Sequence, residues 1–371
     1  MKKGEILEKE GLRILRLEGS PYEMGYQHGK ALSEEIRWLH SNLKHLFAHY
    51  EGILGKLAFP VFRLASKILE RNIPNEFREE MRGISDGAGV DYNSVRLVNL
   101  TEELGEIFYS YLKPFKCSCF VAKDVEGNII WGRNLDYLFY EILPVLNIVF
   151  VYVPQQGFPF ISLSWPGVIG VPTGISRDLS LILNSSPAKP RIFKGIPQQI
   201  LTRQVIQYSK DLREGLRRII FTPIPATMGQ NLVLVSKNDA RVIEISPRKN
   251  AVRCFQEEGY ITVTNHFKVP EMEAEQVSPI KPRKTSIPDE LLTLFFTLEG
   301  SKRRAEKMKM ALQNNHIDLK KAMEILDSVS GPGTVQSVIC IPQKEEFWVA
   351  KRNQPPVTKG EWVQFKLRDL L

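Results

Sequence analysis

Residues 117–137 bring a thiol, a guanidinium and a carboxylate together within one predicted hairpin. Apolar residues alternate with others on both sides of the segment Asp-Val-Glu-Gly at 124–127, which has the composition of a tight turn. Folding the two strands against each other returns Arg133 and Asp136 to the neighbourhood of Cys117. The sequence therefore predicts a nucleophile, a fixed cation and a carboxylate in one region.

The spacing of these residues resembles that of the cysteine N-terminal-nucleophile hydrolases, which include bile-salt hydrolases, acid ceramidase, N-acylethanolamine acid amidase and the isopenicillin N acyltransferases. The resemblance consists of Cys117 followed by Ser118, with the Arg and Asp of Gly-Arg-Asn-Leu-Asp-Tyr sixteen and nineteen residues after the cysteine. The segment Gly-Ser-Pro-Tyr-Glu-Met-Gly at 19–25 is most similar to the acyltransferase branch.

The resemblance implies that the nucleophile cuts the chain before itself. The bond between Lys116 and Cys117 would break after an N-to-S acyl shift, and Cys117 would become a new chain terminus. Its α-amine, with a reference pKa of about 8, could then accept the thiol proton without a histidine. Arg133 would favour the thiolate, and Asp136 would accept a hydrogen bond from the amine and orient it.

Each of these residues also has an ordinary structural interpretation: a small buried side chain for Cys117, an ion pair for Arg133 and a turn residue for Asp136. Their joint spacing favours the catalytic interpretation. Cys119 is a competing nucleophile, and the Cys-x-Cys pattern also suggests a metal site. No second cysteine pair or adjacent histidine completes a ligand set, so we expect no metal and no organic cofactor.

Three further site residues follow from the resemblance. Asn184 ends a predicted strand, and Asn265 follows another; the family uses asparagines in these positions to donate hydrogen bonds to the tetrahedral oxyanion. For Asn184, capping of a strand end is the alternative. The Ser-x-x-Arg segment at 301–304 resembles one whose arginine points toward the site. Arg304 fits this register best, and Arg303 stays an alternative.

Helical patterns dominate residues 20–110, whereas strands cluster at 117–264 and 334–367. Two stacked antiparallel sheets covered by helices account for this order. The resemblance implies an α+β fold, the four-layer αββα sandwich, with residues 117–371 as its core and residues 1–116 as a mainly helical N-terminal segment packed on it. A chain of 371 residues agrees with one large domain and an accessory layer, or with two domains.

Within the N-terminal segment, residues 12–17 alternate apolar and charged side chains, which predicts a short strand with one solvated face. A single helix is predicted from Ser20 to about Tyr50, with Gly25 and Gly29 on one face where another backbone approaches closely.

The apolar stretch Ile53–Leu69 predicts an internal helix kinked at Pro60; contact with a membrane surface or an acyl chain is the alternative. Further along the chain, we predict a strand at Val168–Pro172 and a loop at the rim of the pocket over 268–288. For His266 we favour packing at a strand end over contact with substrate.

The net charge of +8 is compatible with an anionic partner, but Lys and Arg are spread along the chain, so a solvated surface is the preferred interpretation and no nucleic-acid partner is expected. The first residues lack the apolar region of a signal peptide, and no run of apolar residues is long enough to span a membrane. Four scattered cysteines agree with a reducing compartment. We therefore expect a soluble, cytoplasmic protein.

These observations predict a self-processing amidohydrolase or acyltransferase that acts on an acyl amide or acyl thioester through a thioester acyl-enzyme. A lipid amidase similar to acid ceramidase or N-acylethanolamine amidase is one alternative, because Ile53–Leu69 is apolar enough for peripheral lipid contact. A non-processed binding protein with the same fold is another, because Lys116 occupies a position where the isopenicillin N acyltransferases have glycine.

Overall fold

The protein is described from a computed structural model that covers residues 2–108, 117–137, 141–190, 192–255, 259–277, 293, 297–313 and 317–371. Over 43–58 and 106–108 the description is restricted to the course of the helical backbone. Lys116 and most of the predicted loop at 268–288 lie outside the described residues.

Two β-sheets form the centre of the molecule. One sheet has nine strands in the order β1-β2-β5-β6-β7-β8-β9-β10-β11, and the other has six in the order β12-β3-β4-β13-β14-β15. Neighbouring strands are antiparallel except for β2 and β5, which run parallel. The strands are β1 (Ile6–Lys9), β2 (Leu12–Gly19), β3 (Ser118–Lys123), β4 (Ile129–Asp136), β5 (Ile148–Pro154), β6 (Phe160–Ser164), β7 (Thr173–Ile175), β8 (Ser180–Ser185), β9 (Gln230–Val235), β10 (Ala240–Ile245), β11 (Asn250–Cys254), β12 (Tyr260–Val263), β13 (Thr334–Ile341), β14 (Glu346–Lys351) and β15 (Glu361–Lys366).

Helices lie between β2 and β3 and between the later groups of strands. They are α1 (Pro21–Ala31), α2 (Ser33–Glu70), α3 (Asn75–Ala88), α4 (Tyr92–Asn99), α5 (Thr101–Phe108), α6 (Gln198–Tyr208), α7 (Leu212–Ile220), α8 (Pro270–Glu273), α9 (Leu298–Leu312) and α10 (Leu319–Ser328). Ser20 begins α1 with a capping box: its hydroxyl accepts from the Glu23 amide, and the Glu23 carboxylate accepts from the Ser20 amide.

Three apolar clusters define the order of the layers. One joins the nine-stranded sheet to helices α1–α4, α6 and α7; the second lies between the two sheets; and the third joins the six-stranded sheet to α9 and α10. The molecule is therefore a four-layer αββα sandwich of the α+β class, and the predicted fold class is confirmed.

The N-terminal segment takes part in the sheet as well as covering it. Strand β2 pairs with β5 from Arg13 to Gly19, and both of its faces are buried. Leu15 and Leu17 contact the helical layer, whereas Leu12 and Ile14 face the second sheet. The predicted solvated face of this strand is therefore wrong: the long apolar side chains alternate between two cores instead of facing water.

Two helix predictions differ from the structure in their boundaries. The helix predicted from Ser20 divides at Leu32 into α1 and α2, and α2 continues through Pro60 to Glu70.

In the part of the chain that the structure describes, no helix is both long enough and apolar enough to cross a membrane.

Helices α1 and α3 cross at very short distance, as the predicted pair of glycines indicated. A β-carbon added at Gly25 would lie 2.0 Å from the carbonyl oxygen of Glu80, and one added at Gly29 would lie 2.3 Å from that of Ile84. On the opposite helix, Gly83 approaches α1 in the same way. Only glycine leaves room for backbones this close, so the close-packing prediction is confirmed.

The predicted strand at Val168–Pro172 is irregular backbone in the structure. Its polar groups are satisfied by side chains from helices: Asn99 accepts from the Ile169 amide at 2.8 Å, and the Gly167 amide just before this segment donates to Nε2 of His28 at 2.9 Å. The Ile169 carbonyl accepts from Arg203. At the end of the segment, the Pro172 carbonyl accepts from the Leu183 amide of β8 at 3.0 Å, so the segment meets a strand at one residue without forming a ladder.

Candidate active site

The predicted hairpin is present and holds Cys117 at its open end. Strands β3 and β4 pair with Ser118 opposite Asn134, and the Asp124 carboxylate closes the turn by accepting from the Glu126 and Asn128 amides, both at 2.8 Å. Because β3 lies between β12 and β4, its first residue is placed well inside the molecule. Cys117 is 3% exposed and belongs to a small apolar cluster.

Arg133 links the thiol to the opposite sheet. Its Nη2 lies 3.5 Å from Cys117 Sγ and donates to the Leu183 carbonyl at 2.7 Å, while Nη1 donates to the hydroxyl of Thr173. The guanidinium is 2% exposed and is held by β7 and β8. The cation predicted from spacing therefore contacts the sulfur directly.

The electrostatic environment of the thiol combines opposing effects. Burial raises the pKa of Cys117 above its ordinary value, whereas the Arg133 guanidinium and the backbone amide of Asp136 lower that pKa by favouring the thiolate. The Asp136 carboxylate acts with burial and raises the pKa. Burial is the largest of these effects, so in the intact chain the sulfur carries its proton at neutral pH, and a base is needed to activate it.

Arg304 lies at the site, and Arg303 does not. Arg304 donates to the Cys117 carbonyl at 3.1 Å, to the Ser118 hydroxyl at 2.6 Å and to Oδ1 of Asn265 at 3.0 Å. Arg303 is exposed and pairs with Glu299 on the surface of α9. Of the two adjacent arginines, the orientation of α9 brings Arg304 to the main-chain carbonyl of Cys117.

The two predicted asparagines meet where the sheets come together. Asn184, at the end of β8, donates from Nδ2 to the Val263 carbonyl at 3.2 Å, and its Oδ1 has no hydrogen-bond partner among the described residues. Asn265, just beyond β12, donates to the Ser185 carbonyl at 2.7 Å. Both side chains are buried, and each Nδ2 donates one hydrogen to a main-chain carbonyl of the opposite sheet and has a second hydrogen.

The other cysteines are placed differently. Cys119 lies in the core between the sheets, where burial raises its pKa to about 12, and Cys340 is buried in the same core. Cys254 is exposed at the sheet edge. Among the residues that the structure describes, no three potential metal ligands come together.

An apolar cavity adjoins the cluster that contains Cys117. Tyr137, Leu143 and Trp165 belong to that cluster and also line the cavity. Residues from the N-terminal segment, including Leu39 and Val98, form the facing wall. The cavity is therefore bounded by both the part of the chain before Cys117 and the part after it, and Cys117 itself is not among its lining residues.

Several polar contacts at the site were missed by sequence reasoning. Thr173 holds Arg133, Ser301 accepts from the Asn265 amide at 2.9 Å, and Asn231 contacts the backbone on both sides of Asn265. A signal existed for Asn231, since two consecutive amide residues, Gln230 and Asn231, open an otherwise apolar strand.

Comparison with known proteins agrees with this geometry. A family model for acyl-coenzyme A:6-aminopenicillanic acid acyl-transferase matches residues 123–335, a range that contains five of the six predicted site residues and begins after Cys117. An uncharacterised protein of Archaeoglobus fulgidus is 28% identical over 376 residues, covering 87% of this chain and 58% of its own.

Two further relatives match a smaller part of the chain. Protein dcd1A of Dictyostelium discoideum is 24% identical, covering 63% of this chain and 58% of its own. The N-acylethanolamine-hydrolyzing acid amidase of Rattus norvegicus is 32% identical over 209 residues, covering 52% of this chain and 55% of its own. The chain thus spans about half the length of the curated relatives it matches.

Among solved structures, the Caenorhabditis elegans N-acylethanolamine-hydrolyzing acid amidase ortholog aligns over 68% of this chain and all of its own, with a TM-score of 0.46 and 18% identity. The family match is the decisive finding, because it covers more than half of the chain. The protein belongs to the acyl-coenzyme A:6-aminopenicillanic acid acyl-transferase family, within the N-terminal-nucleophile hydrolases that its sequence resembles.

Proposed function

We propose that the protein is a self-processing cysteine amidohydrolase or acyltransferase with Cys117 as its nucleophile. The single observation that carries this proposal is the placement of a buried thiol 3.5 Å from the Arg133 guanidinium at the start of an interior strand. A structural cysteine has no need of a buried cation, whereas a thiol that must ionise does. The family match supports an acyl-transfer reaction.

Self-processing would supply the base that the intact chain lacks. The Cys117 thiol attacks the carbonyl carbon of Lys116, the C–N bond of that peptide breaks, the acyl group passes to sulfur, and the thiol proton passes to the departing α-nitrogen. Water then hydrolyses the thioester, which releases a carboxylate at residue 116 and restores the thiol. The α-amine of Cys117 is now free, and with a reference pKa of about 8 it can accept the thiol proton near neutral pH.

The same groups would then act on substrate. The Cys117 thiolate attacks the acyl carbonyl, and the resulting oxyanion accepts hydrogen bonds from the amides of Asn184 and Asn265. The protonated α-amine, oriented by Asp136, gives its proton to the leaving amine or thiol. Water or an acceptor amine then attacks the thioester, and the acyl group leaves the sulfur. Arg304 keeps the main chain of Cys117 and the Asn265 side chain in place.

The acyl group would lie in the cavity that adjoins the apolar cluster containing Cys117. Its lining includes Leu143, Leu146 and Trp165, so an apolar acyl group gains free energy by leaving water for this space. The leaving amine or thiol would point away from the cavity.

Hydrolysis of lipid amides is the second candidate function. Relatives named N-acylethanolamine-hydrolyzing acid amidase and the apolar cavity both favour it. Val61, Leu64 and Ile68 also form an exposed apolar row on α2, which is a surface suited to the proposed lipid contact. Activity on long-chain amides that depends on detergent or lipid would support this candidate, and equal activity on short-chain amides without detergent would contradict it.

Intact-mass spectrometry tests the proposed function directly. We expect the wild-type protein and a Cys254→Ala control to give two polypeptides divided between residues 116 and 117, and Cys117→Ala to give one. Because the fragment that begins with Cys117 holds all four cysteines, a thiol-reactive acyl probe should label Cys117 itself in the Cys254→Ala control. Full acyl-transfer activity in Cys117→Ala would contradict the assignment, and a single unreactive wild-type chain would indicate a binding protein with this fold.

A further inference from the structure

The position of Asn265 raises the question of what holds its amide group still. Asn265 lies just beyond β12, which is the edge strand of the six-stranded sheet. The end of an edge strand has a neighbour on one side at most, so the strand ladder does little to fix the backbone of residues 264–266. An oxyanion donor, however, must be held close to its productive geometry before the reaction begins.

Asn231 supplies the missing support from the other sheet. It lies on β9 directly opposite Asn184, and its side chain is fully buried. Its Nδ2 donates to the Thr264 carbonyl at 3.1 Å and to the His266 carbonyl at 2.9 Å. These carbonyls flank Asn265, so one side-chain amide uses both of its hydrogen atoms to hold the backbone on either side of this residue.

Helix α9 holds the same turn from the other side. Oγ of Ser301 accepts from the Asn265 amide at 2.9 Å and lies 2.9 Å from Nδ1 of His266. The Thr264 hydroxyl donates to the Ser301 carbonyl at 3.1 Å. Burial lowers the pKa of His266 to about 3, assisted by nearby cations, so this ring stays neutral and is a fixed partner rather than a proton donor.

We propose that Asn231 is a positioning residue that, together with Ser301, fixes the 264–266 turn and so aims the Asn265 amide at the reacting carbonyl. This inference rests on the proposed role of Asn265 in oxyanion stabilisation. The strand itself supports it: the later inward-facing residues of β9, Val233 and Val235, are aliphatic and pack in the core between the sheets. A polar Asn231 occurs where β9 reaches the site.

Replacement by a similarly sized apolar residue separates positioning from general stability. Asn231→Leu removes both donors and leaves two buried carbonyls without them. Asn134→Leu is the matched control, because Asn134 is also fully buried and donates to a main-chain carbonyl, that of Leu326 at 2.7 Å, on the side of its sheet that faces α10. Both variants lose buried hydrogen bonds, but only one loses contacts to the turn that carries Asn265.

Hydrogen exchange followed by mass spectrometry measures the turn itself. We expect amide exchange in the peptide covering 260–267 to become faster in Asn231→Leu and to stay at the wild-type rate in Asn134→Leu. Unchanged protection of this peptide in Asn231→Leu would overturn the proposal whether or not the protein is active. The wild-type protein could show the expected exchange but neither process itself nor transfer acyl groups. That result would contradict the proposed function and still support the conclusion that Asn231 fixes the turn.

Kinetics on an acyl amide or thioester substrate test the consequence. We expect Asn231→Leu to lower kcat about 10- to 100-fold, since a displacement of about 1 Å at a catalytic group has effects of this size. KM and the shape of the pH–rate profile should stay close to those of the wild type. In an Asn265→Ala background, Asn231→Leu should have little further effect. Full additivity of the two substitutions would overturn the positioning role.

Discussion

Acid is expected to destabilise this fold through His28, whose imidazole is buried between α1 and the nine-stranded sheet. The side chain is 0% exposed, packs against the ring of Phe150, and accepts from the Gly167 amide through Nε2 at 2.9 Å. An acceptor nitrogen cannot carry a proton, so the folded protein requires the neutral ring. Burial, with a smaller effect from Arg203, lowers the pKa of His28 to about 3.

The size and sign of the effect follow from proton linkage. The ordinary pKa of histidine is 6.5, so between pH 6.5 and about 3 the unfolded chain binds a proton that the folded protein does not. The free energy of unfolding therefore falls as pH drops below 6.5, by about 1.4 kcal/mol per pH unit for this group. At pH 5 the loss is about 2 kcal/mol. Above pH 6.5 the contribution of His28 no longer changes.

Urea unfolding at pH 7, 6 and 5 measures this dependence, with His28→Gln as the comparison, because glutamine offers an acceptor oxygen that does not titrate. We expect the variant to be less stable than the wild type at pH 7, owing to imperfect packing, but to lose less stability on acidification. Between pH 6.5 and 5, the free energy of unfolding of the wild type should fall by about 2 kcal/mol more than that of His28→Gln. Equal pH dependence in the two proteins would refute the reasoning, since it would mean that the ring is protonated in the folded state.

Three other predictions concern the chain break, the site and the helix crossing. After cleavage, the fragment ending at residue 116 should co-purify with the larger fragment until denaturant is added, because β2 is paired within the sheet; release in native buffer would contradict this. Arg304→Lys should lower kcat/KM by at least about tenfold, because one ammonium cannot reproduce a three-partner guanidinium, whereas Arg303→Lys on the surface should be neutral. Gly83→Ala should lower the free energy of unfolding by about 1–3 kcal/mol in urea titration, because the added carbon would meet the backbone of α1 at 2.2 Å; an unchanged midpoint would contradict the close crossing.

The parts of this structure that were predictable depend on local sequence. The hairpin of β3 and β4 could be predicted because its turn chemistry and strand alternation lie within about twenty residues, and they fix where Cys117, Arg133 and Asp136 meet. The pattern of the later strands is similarly local. Asn184 and Asn265 were predicted from the family resemblance and not from local sequence, and they meet because the packing of the two sheets brings distant strand ends together.

The parts that were not predictable depend on distant partners. Strand β2 has both faces buried because β5 and two separate cores surround it, and no nearby residue signals this. Segment 168–172 is irregular because Asn99, His28 and Arg203 supply its polar contacts. The choice between two adjacent arginines depends on the rotation of one helix, which a run of charged residues does not reveal.

The composition of the cavity that adjoins the Cys117 cluster has a consequence for substrate preference. Its lining includes Leu39 from α2 and Val98 from α4 as well as residues that follow Cys117, and none of the six predicted site residues is part of it. If the acyl group binds in this cavity, as proposed, changes in Leu39 or Val98 would alter the acyl preference without replacing a predicted site residue.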